Sequence, residues 1–522
     1  MKNRSALLLA AVAALACNPG HYFEKYSENI DTQEEVLSHG MIVLGDQLED
    51  PYSVDNITRA LQALYPTRAA DTPVETTDYY VRFLPENDAQ FERLVALGLE
   101  LSDHPVDYEI VCDGDYYHDP ALPEDRITWQ YAVVPAHFEY PQDIRYEVLD
   151  RVHIAEHKVV TRADGIDWTE VERESFRLTG NGAMLEPATR ASDSPSGRIS
   201  IVDERLDSEP IGVAGVRVTA NVFVKISSAY TDEEGYYHLS RSFSAQPRYR
   251  LVFKNRKGFC LGVNLILVPA STSTLGRHSN EGVSVVVRAS SDRKLFTRCV
   301  VNNAGYNYFE SCDGGDMRIK RPPSNLRVWL FRNMTGSSCL MLQQGAGIDN
   351  TLVGKFLGEY ATVVKRFLPD ITLGLKNKED YATIYASAVH EFAHASHYMQ
   401  VGNEYWDKLM EFVLTSFITS GGVTYGAGTE KNHGYCEVGE MWAYYMQTRF
   451  FRDRYPDTAA SFGTSFWFSP QIFYYLDERG LNRFRIFAAL TSDVHDRETL
   501  QQRLLNLYPE YKNVINQAFS RY

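Results

Sequence analysis

The sequence predicts a multidomain α+β chain: an N-terminal α/β region, a central β-rich region and a mainly helical C-terminal domain. Three observations carry this. Tyr79–Phe83, Asn87–Leu99 and Val106–Val111 read in turn as strand, helix and strand. Further on, β-favouring runs recur between turn residues from Ile199 to Phe253. From Asn350 onward the apolar pattern becomes helical. A chain of 522 residues has room for about three such units.

Taken in order, residues 1–17 (MKNRSALLLAAVAALAC) form a leader. Lys2 and Arg4 give a basic start, and Ala6–Ala16 is an apolar run too short to span a bilayer. Its end, Ala14-Leu15-Ala16-Cys17, resembles a bacterial lipoprotein box in which the usual Leu is displaced by one position. The resemblance implies lipidation at Cys17 and a chain tethered to a membrane of the bacterial cell envelope, on its periplasmic or surface face. A plain secretory signal is the alternative.

Residues 18–186 are expected to form an α+β domain. Val54–Leu64 is a clear helix ended by Tyr65-Pro66, Ile127–Tyr140 adds a strand, and Tyr146–Ile154 fits helix or strand. His104, His118, His137, His153 and His157 lack ligand spacing and read as surface or satisfied histidines. The Pro- and Ser-rich stretch 187–198 reads as a linker.

Residues 199–345 are expected to be the β region, with strands at Ile199–Val202, Val216–Val224, Tyr236–Leu239, Tyr249–Phe253, Val283–Ala289 and Asn325–Phe331. Its second half, from Arg256, either extends the β domain or begins the next one. Residues 346–522 carry helices at Thr351–Leu368, Thr383–Val401, Glu404–Thr419, Tyr435–Arg454 and Pro470–Arg479, with Ser469 as the cap of the last. Two more are expected within Asn482–Tyr522, and 423–434 is a Gly-rich loop.

A net charge of −16 argues against nucleic acid or an anionic membrane surface as the main partner. No later segment has the length of apolar sequence that a membrane-spanning helix needs. Beyond Cys17 there are Cys112, Cys260, Cys299, Cys312, Cys339 and Cys436. An exported chain can pair them, and Cys299 with Cys312 is the pair expected first, closing a hairpin. Cys436 reads as a buried thiol.

The chemistry concentrates in His390-Glu391-Phe392-Ala393-His394, an H-E-x-x-H motif. On a helix, the two histidines lie one above the other and can grip one metal ion. Glu391 lies about 100° round the helix, beside the metal and not bound to it. A catalytic zinc takes a third protein ligand and keeps one position open. The longer pattern H-E-x-x-H-x-x-G-x-x-H is excluded, because His397 and Gln400 stand where Gly and His are required. Downstream comes Gly439-Glu440-Met441-Trp442-Ala443, within a second helical pattern. A Glu followed three residues later by a small residue suits a helix packed closely against the motif helix.

With these two motifs, residues 350–522 resemble a gluzincin metallopeptidase, bacterial lipoprotein in type, with a zincin-like helical domain. The resemblance implies Zn2+ held by His390, His394 and Glu440, Glu391 as general base toward a metal-activated water, and a peptide or protein substrate. Glu437, one turn earlier, is the rival third ligand. Relatives of this kind present a Tyr or His donor near the third ligand, which points here to His433 and Tyr435, with Tyr425 behind them.

Earlier in the chain, Pro210–Val218 followed by Thr231-Asp232-Glu233-Glu234-Gly235-Tyr236 resembles the carboxypeptidase regulatory-like β-sandwich. That implies a sandwich with a structural or adhesive role, in which Gly235 supplies the positive φ of a turn. Asp232 and Glu233 belong to a solvated turn on this reading, since no calcium-ligand series surrounds them. The functional expectation is an envelope-tethered zinc metallopeptidase. The alternative is an envelope binding or scaffold protein with a vestigial zinc site, which would have no need of the intact Glu391.

Overall fold

Ser53 begins the first helix among the described residues and Pro66 follows its end. In a computed structural model, which describes residues 41–123, 126–155, 165–187, 194–206, 209–262, 270–314, 317–332, 335–346, 370–420 and 425–522, strand β1 (Val43–Gln47) precedes helix α1 (Val54–Leu64). The Ser53 side chain accepts the Asn56 N–H and so caps α1, which has the bounds expected of it. The leader with Cys17 and the helix expected at 351–368 lie outside the described residues.

Next come β2 (Asp78–Leu84), α2 (Asp88–Ala96), β3 (Tyr108–Cys112), β4 (Gln130–Pro135) and β5 (Arg145–Val152). β2 pairs antiparallel with both β4 and β5, and β3 pairs antiparallel with β1. The undecided stretch at Tyr146–Ile154 is therefore mostly strand, and the region is α+β. Helix α3 (Trp168–Leu178), which sequence patterning did not reveal, packs on α1.

The expected linker is overtaken at its C-terminal end, because Ser196, Gly197 and Arg198 already belong to β6 (Ser196–Ile201). There follow β7 (Ile211–Gly212), β8 (Arg217–Val222), β9 (Lys225–Tyr230), β10 (Tyr236–His238), β11 (Arg248–Val252), β12 (Cys260–Gly262), β13 (Thr272–Arg277) and β14 (Val285–Val287). One sheet joins β10, β6 and β14, with β7 on β6, and a second runs β13-β11-β8-β9. Val218, Ala220, Tyr249 and Leu251 from the second sheet and Ile199 and Ile201 from the first share one buried core. Gly235 has φ +84°, and a Cβ there would lie 2.1 Å from the Ile199 carbonyl oxygen, so the turn requires glycine. Asp232 closes that turn by accepting the Tyr236 N–H at 2.7 Å.

Helix α4 (Arg293–Asp313) is the largest departure from expectation. Cys299 and Cys312 both lie on it, thirteen residues and so about 20 Å apart along the axis, too far to bond. The hairpin disulfide is thereby ruled out, and both thiols are buried and reduced. Strands β15 (Arg327–Phe331), β16 (Ser338–Cys339) and β17 (Ile371–Gly374) join β12 in a sheet of order β12-β15-β17-β16. The boundary expected between 345 and 346 therefore falls inside a sheet.

Among the described residues the remaining helices are α5 (Tyr381–Val401), α6 (Asn403–Ser420), α7 (His433–Arg454), α8 (Gln471–Asp477), α9 (Arg483–Ala489), α10 (Arg497–Leu507) and α11 (Lys512–Arg521). Three helices, not two, follow Asn482. Ser469 does not cap α8; its hydroxyl donates to the Tyr522 carbonyl oxygen. Among the described residues no helix is long and apolar enough to cross a membrane. A single buried cluster runs from Tyr52 through both central sheets to Phe519. Within it, α4 lies close on α5: a Cβ at Gly305 would come within 2.9 Å of Phe392 Cζ.

Candidate metal centre

Helix α5 is held at both ends. Asp380 caps its start, accepting the Thr383 N–H at 2.9 Å, and Gly402 ends it with φ +81°. Its middle is buried on every side, so the motif histidines are 7% and 4% exposed. His390 and His394 lie one above the other on neighbouring turns, rings edge to face, with their Nε2 atoms 3.2 Å apart.

Helix α7 lies along α5. Trp442 Nε1 donates to the Ala393 carbonyl oxygen at 3.2 Å, and Gly439 lies beside the His394 ring, where a Cβ would be 3.9 Å from it. Ala443 is fully buried on the same helix. This close packing brings the Glu440 carboxylate to the imidazoles. Oε1 stands 3.3 Å from His394 Nε2, and Oε2 stands 3.4 Å from His390 Nε2. His390, His394 and Glu440 form a buried group able to hold a metal ion.

Donor spacing tests that fit. Ligand atoms at zinc's usual bond lengths around a tetrahedral ion stand roughly 3.3 Å apart. The imidazole nitrogens are 3.2 Å apart, each stands 3.3–3.4 Å from a different oxygen of the Glu440 carboxylate, and one donor atom from each residue lies within 4.8 Å of the others, close enough to share an ion. Two nitrogens and one oxygen are also the donor set of a catalytic zinc with an open position.

The surrounding charges are arranged about this group. Burial alone would raise the Glu440 carboxyl, yet His394 and His390 hold it at about 2, so it stays ionised. Glu391 is 3% exposed and its Oε2 has no hydrogen-bond partner. Burial, reinforced by the Glu440 charge and opposed by His390 and Lys378, pushes its carboxyl up to about 7. Adjacent carboxylates on two helices thus sit at opposite ends of the scale.

Two contacts at the centre went unnoticed in the sequence. Gln447 Oε1 accepts from His390 Nδ1 at 3.1 Å, which leaves the Nε2 lone pair facing Glu440 and His394. The Tyr444 ring lies edge-on to His390, 4.4 Å between centroids, backed by Phe466 and Phe468. Glu440, Tyr444 and Gln447 fall at i, i+4 and i+7 of α7, and that spacing was the available signal.

The other candidates fall elsewhere. Glu437 is buried near Arg497 and His433 and does not join the group. His433 is two turns, about 10 Å, before Glu440 on α7. Its Nδ1 bonds the Glu430 carbonyl oxygen and its ring meets Trp467. Tyr435 lies about 140° round α7 from Glu440, and its ring packs on Tyr405 and His495. The structure brings neither into contact with the candidate ligands; Tyr444 packs on His390 and Trp406 on His394. Tyr425 is buried against Phe466 and Phe468. Cys436 is buried as expected and lies outside the group. His397 packs against Tyr405 and Trp406, with neither ring nitrogen bonded, and burial lowers it to about 3.

No protein-family model, curated protein or solved structure matches the chain.

Proposed function

We propose that the chain is a zinc-dependent metallopeptidase of the gluzincin kind, hydrolysing peptide bonds and tethered through Cys17 to the bacterial envelope. One observation carries the catalytic part: a buried carboxylate from α7 meets two imidazoles from α5, with one donor atom from each within 4.8 Å of the others, close enough to share one ion. The leader sequence alone supports the tether.

Zinc, when bound, supplies Lewis-acid chemistry, acidifying a water and polarising a carbonyl. His390, His394 and Glu440 would hold it, and Gln447 would fix the tautomer and tilt of His390. Glu391 is the base: its Oε2 takes the proton of the attacking water and passes it to the departing amine. A carboxyl whose proton affinity lies near neutrality suits both halves of that transfer.

Elemental analysis of the purified chain and digestion of a peptide library test this together. One zinc per chain and cleavage that stops on chelation are expected. Glu391→Ala keeps zinc and loses cleavage, Glu440→Ala loses zinc, and Glu437→Ala keeps it. Full cleavage by metal-free protein, or zinc retained in Glu440→Ala and lost in Glu437→Ala, overturns the assignment.

A further inference from the structure

Alternate residues of a strand face opposite sides of its sheet. On β8, Val218, Ala220 and Val222 enter the core, whereas Arg217, Thr219 and Asn221 face a cavity of about 120 Å³. The N-terminal region closes that cavity with residues 99–104 and 113–115. Since one water needs about 10–15 Å³ by this measure, the space takes roughly ten non-hydrogen atoms.

Part of the wall is apolar, built by Phe91, Val95, Leu99 and Ile226. The rest is charged, and its charges do not balance. Each lining carboxylate is engaged. Glu100 receives Arg217 and Ser228, and Asp103 receives His104 and the Tyr117 N–H. Asp113 receives Arg248, and Asp115 pairs with Arg298 and Lys294. Two cations of the lining have no such partner: among the described residues neither Arg250 nor Lys254 forms an ion pair. Arg250 donates instead to His104 Nε2 at 3.1 Å. Burial and Arg250 itself lower that imidazole's proton affinity, against the pull of Asp103 on its Nδ1.

Polar atoms are also left over. Asn221 is only 8% exposed, and its Oδ1 has no hydrogen-bond partner. Thr219 Oγ1, directly across the ladder from Arg250, has none either. Buried acceptors without donors destabilise a fold unless something else supplies the bond.

We infer that this cavity binds the carboxylate end of an apolar amino-acid residue, as a free N-acyl amino acid or as the C-terminus of a peptide. Arg250 and Lys254 take the carboxylate, Asn221 Oδ1 accepts the N–H, and the apolar wall receives the side chain. The site is separate from the metal centre and does not depend on it.

Calorimetry on the full chain tests this with N-acetyl-L-leucine, N-acetyl-L-leucinamide and a pentapeptide ending in leucine. N-acetyl-L-leucine, the pentapeptide or both should bind once per chain, and which of them binds identifies the source. The uncharged amide should bind at least about tenfold more weakly. Arg250→Gln should weaken binding by a similar factor. Lys254→Gln gives a second reading if the first variant misfolds, with circular dichroism as the check on folding. Absence of binding by both acids at millimolar concentration, equal binding of acid and amide, or binding unchanged in both folded variants overturns the inference.

Discussion

Replacing Gln447 with Met tests whether the cluster on α5 and α7 is built to hold a cation. The side chain keeps its length and loses its acceptor. His390 Nδ1–H is then left without a partner where water does not reach, since His390 and Gln447 are 7% and 8% exposed. Stranding a buried donor costs about 1–3 kcal/mol. Without metal the ring can turn or change tautomer and escape that cost; with metal it cannot. The loss therefore falls on metal affinity, as a drop of about 10- to 100-fold. Gln447→Glu should act in the opposite direction, because a carboxylate acceptor makes a bond roughly twice as strong. Competition against a chromophoric zinc chelator measures both. A correctly folded Gln447→Met protein with unchanged zinc affinity would refute the reasoning.

Three further outcomes follow from the structure. Arg454 gives Nε and Nη2 to Asp203 Oδ2, whose side chain is 1% exposed. Arg454→Met should cost about 3–5 kcal/mol in urea unfolding, and adding Asp203→Asn should recover most of it; equal losses in the two proteins would sink the idea of a stranded charge. Burial raises the Asp370 carboxyl to about 6. The folded state then holds a proton that the unfolded state releases near pH 4, so stability falls as pH rises through that window, by at most about 3 kcal/mol. Asp370→Asn should lack this fall, and parallel pH profiles of unfolding would contradict it. Denatured, unreduced protein should alkylate at both Cys299 and Cys312, and a mass two hydrogens lighter across that helix would restore the disulfide.

Where local chemistry decides structure, the sequence was readable. α1 starts at a Ser cap and stops before a Pro-linked Tyr, and its bounds agree to the residue. The same holds for the stop of α5 at Gly402 and for the turn at Gly235. α4 escaped because it is buried on nearly every face. It shows no polar stripe, and Asn302, Asn303 and Gly305 are weak helix formers placed there by packing. At the metal centre, Glu440 was legible from its own helix turn. Gln447 was not: its partner lies 57 residues away, and nothing local connects an amide to that imidazole. Tyr435 was expected as a donor from its place at the entry to the ligand helix, whereas helical phase puts Tyr444, one turn after Glu440, against His390.

The sheet β12-β15-β17-β16 has a consequence for how this chain can be divided. A fragment beginning at 346 would carry His390, His394 and Glu440 and still lack the support of their helices. β17 would lose β15 on one side and β16 on the other, becoming a four-residue strand with two open edges. Phe392, inside the motif, would lose Phe259 and Phe309. A cut at that point would part α5 from the aromatic rings of the β-rich half and of α4 on which it is seated.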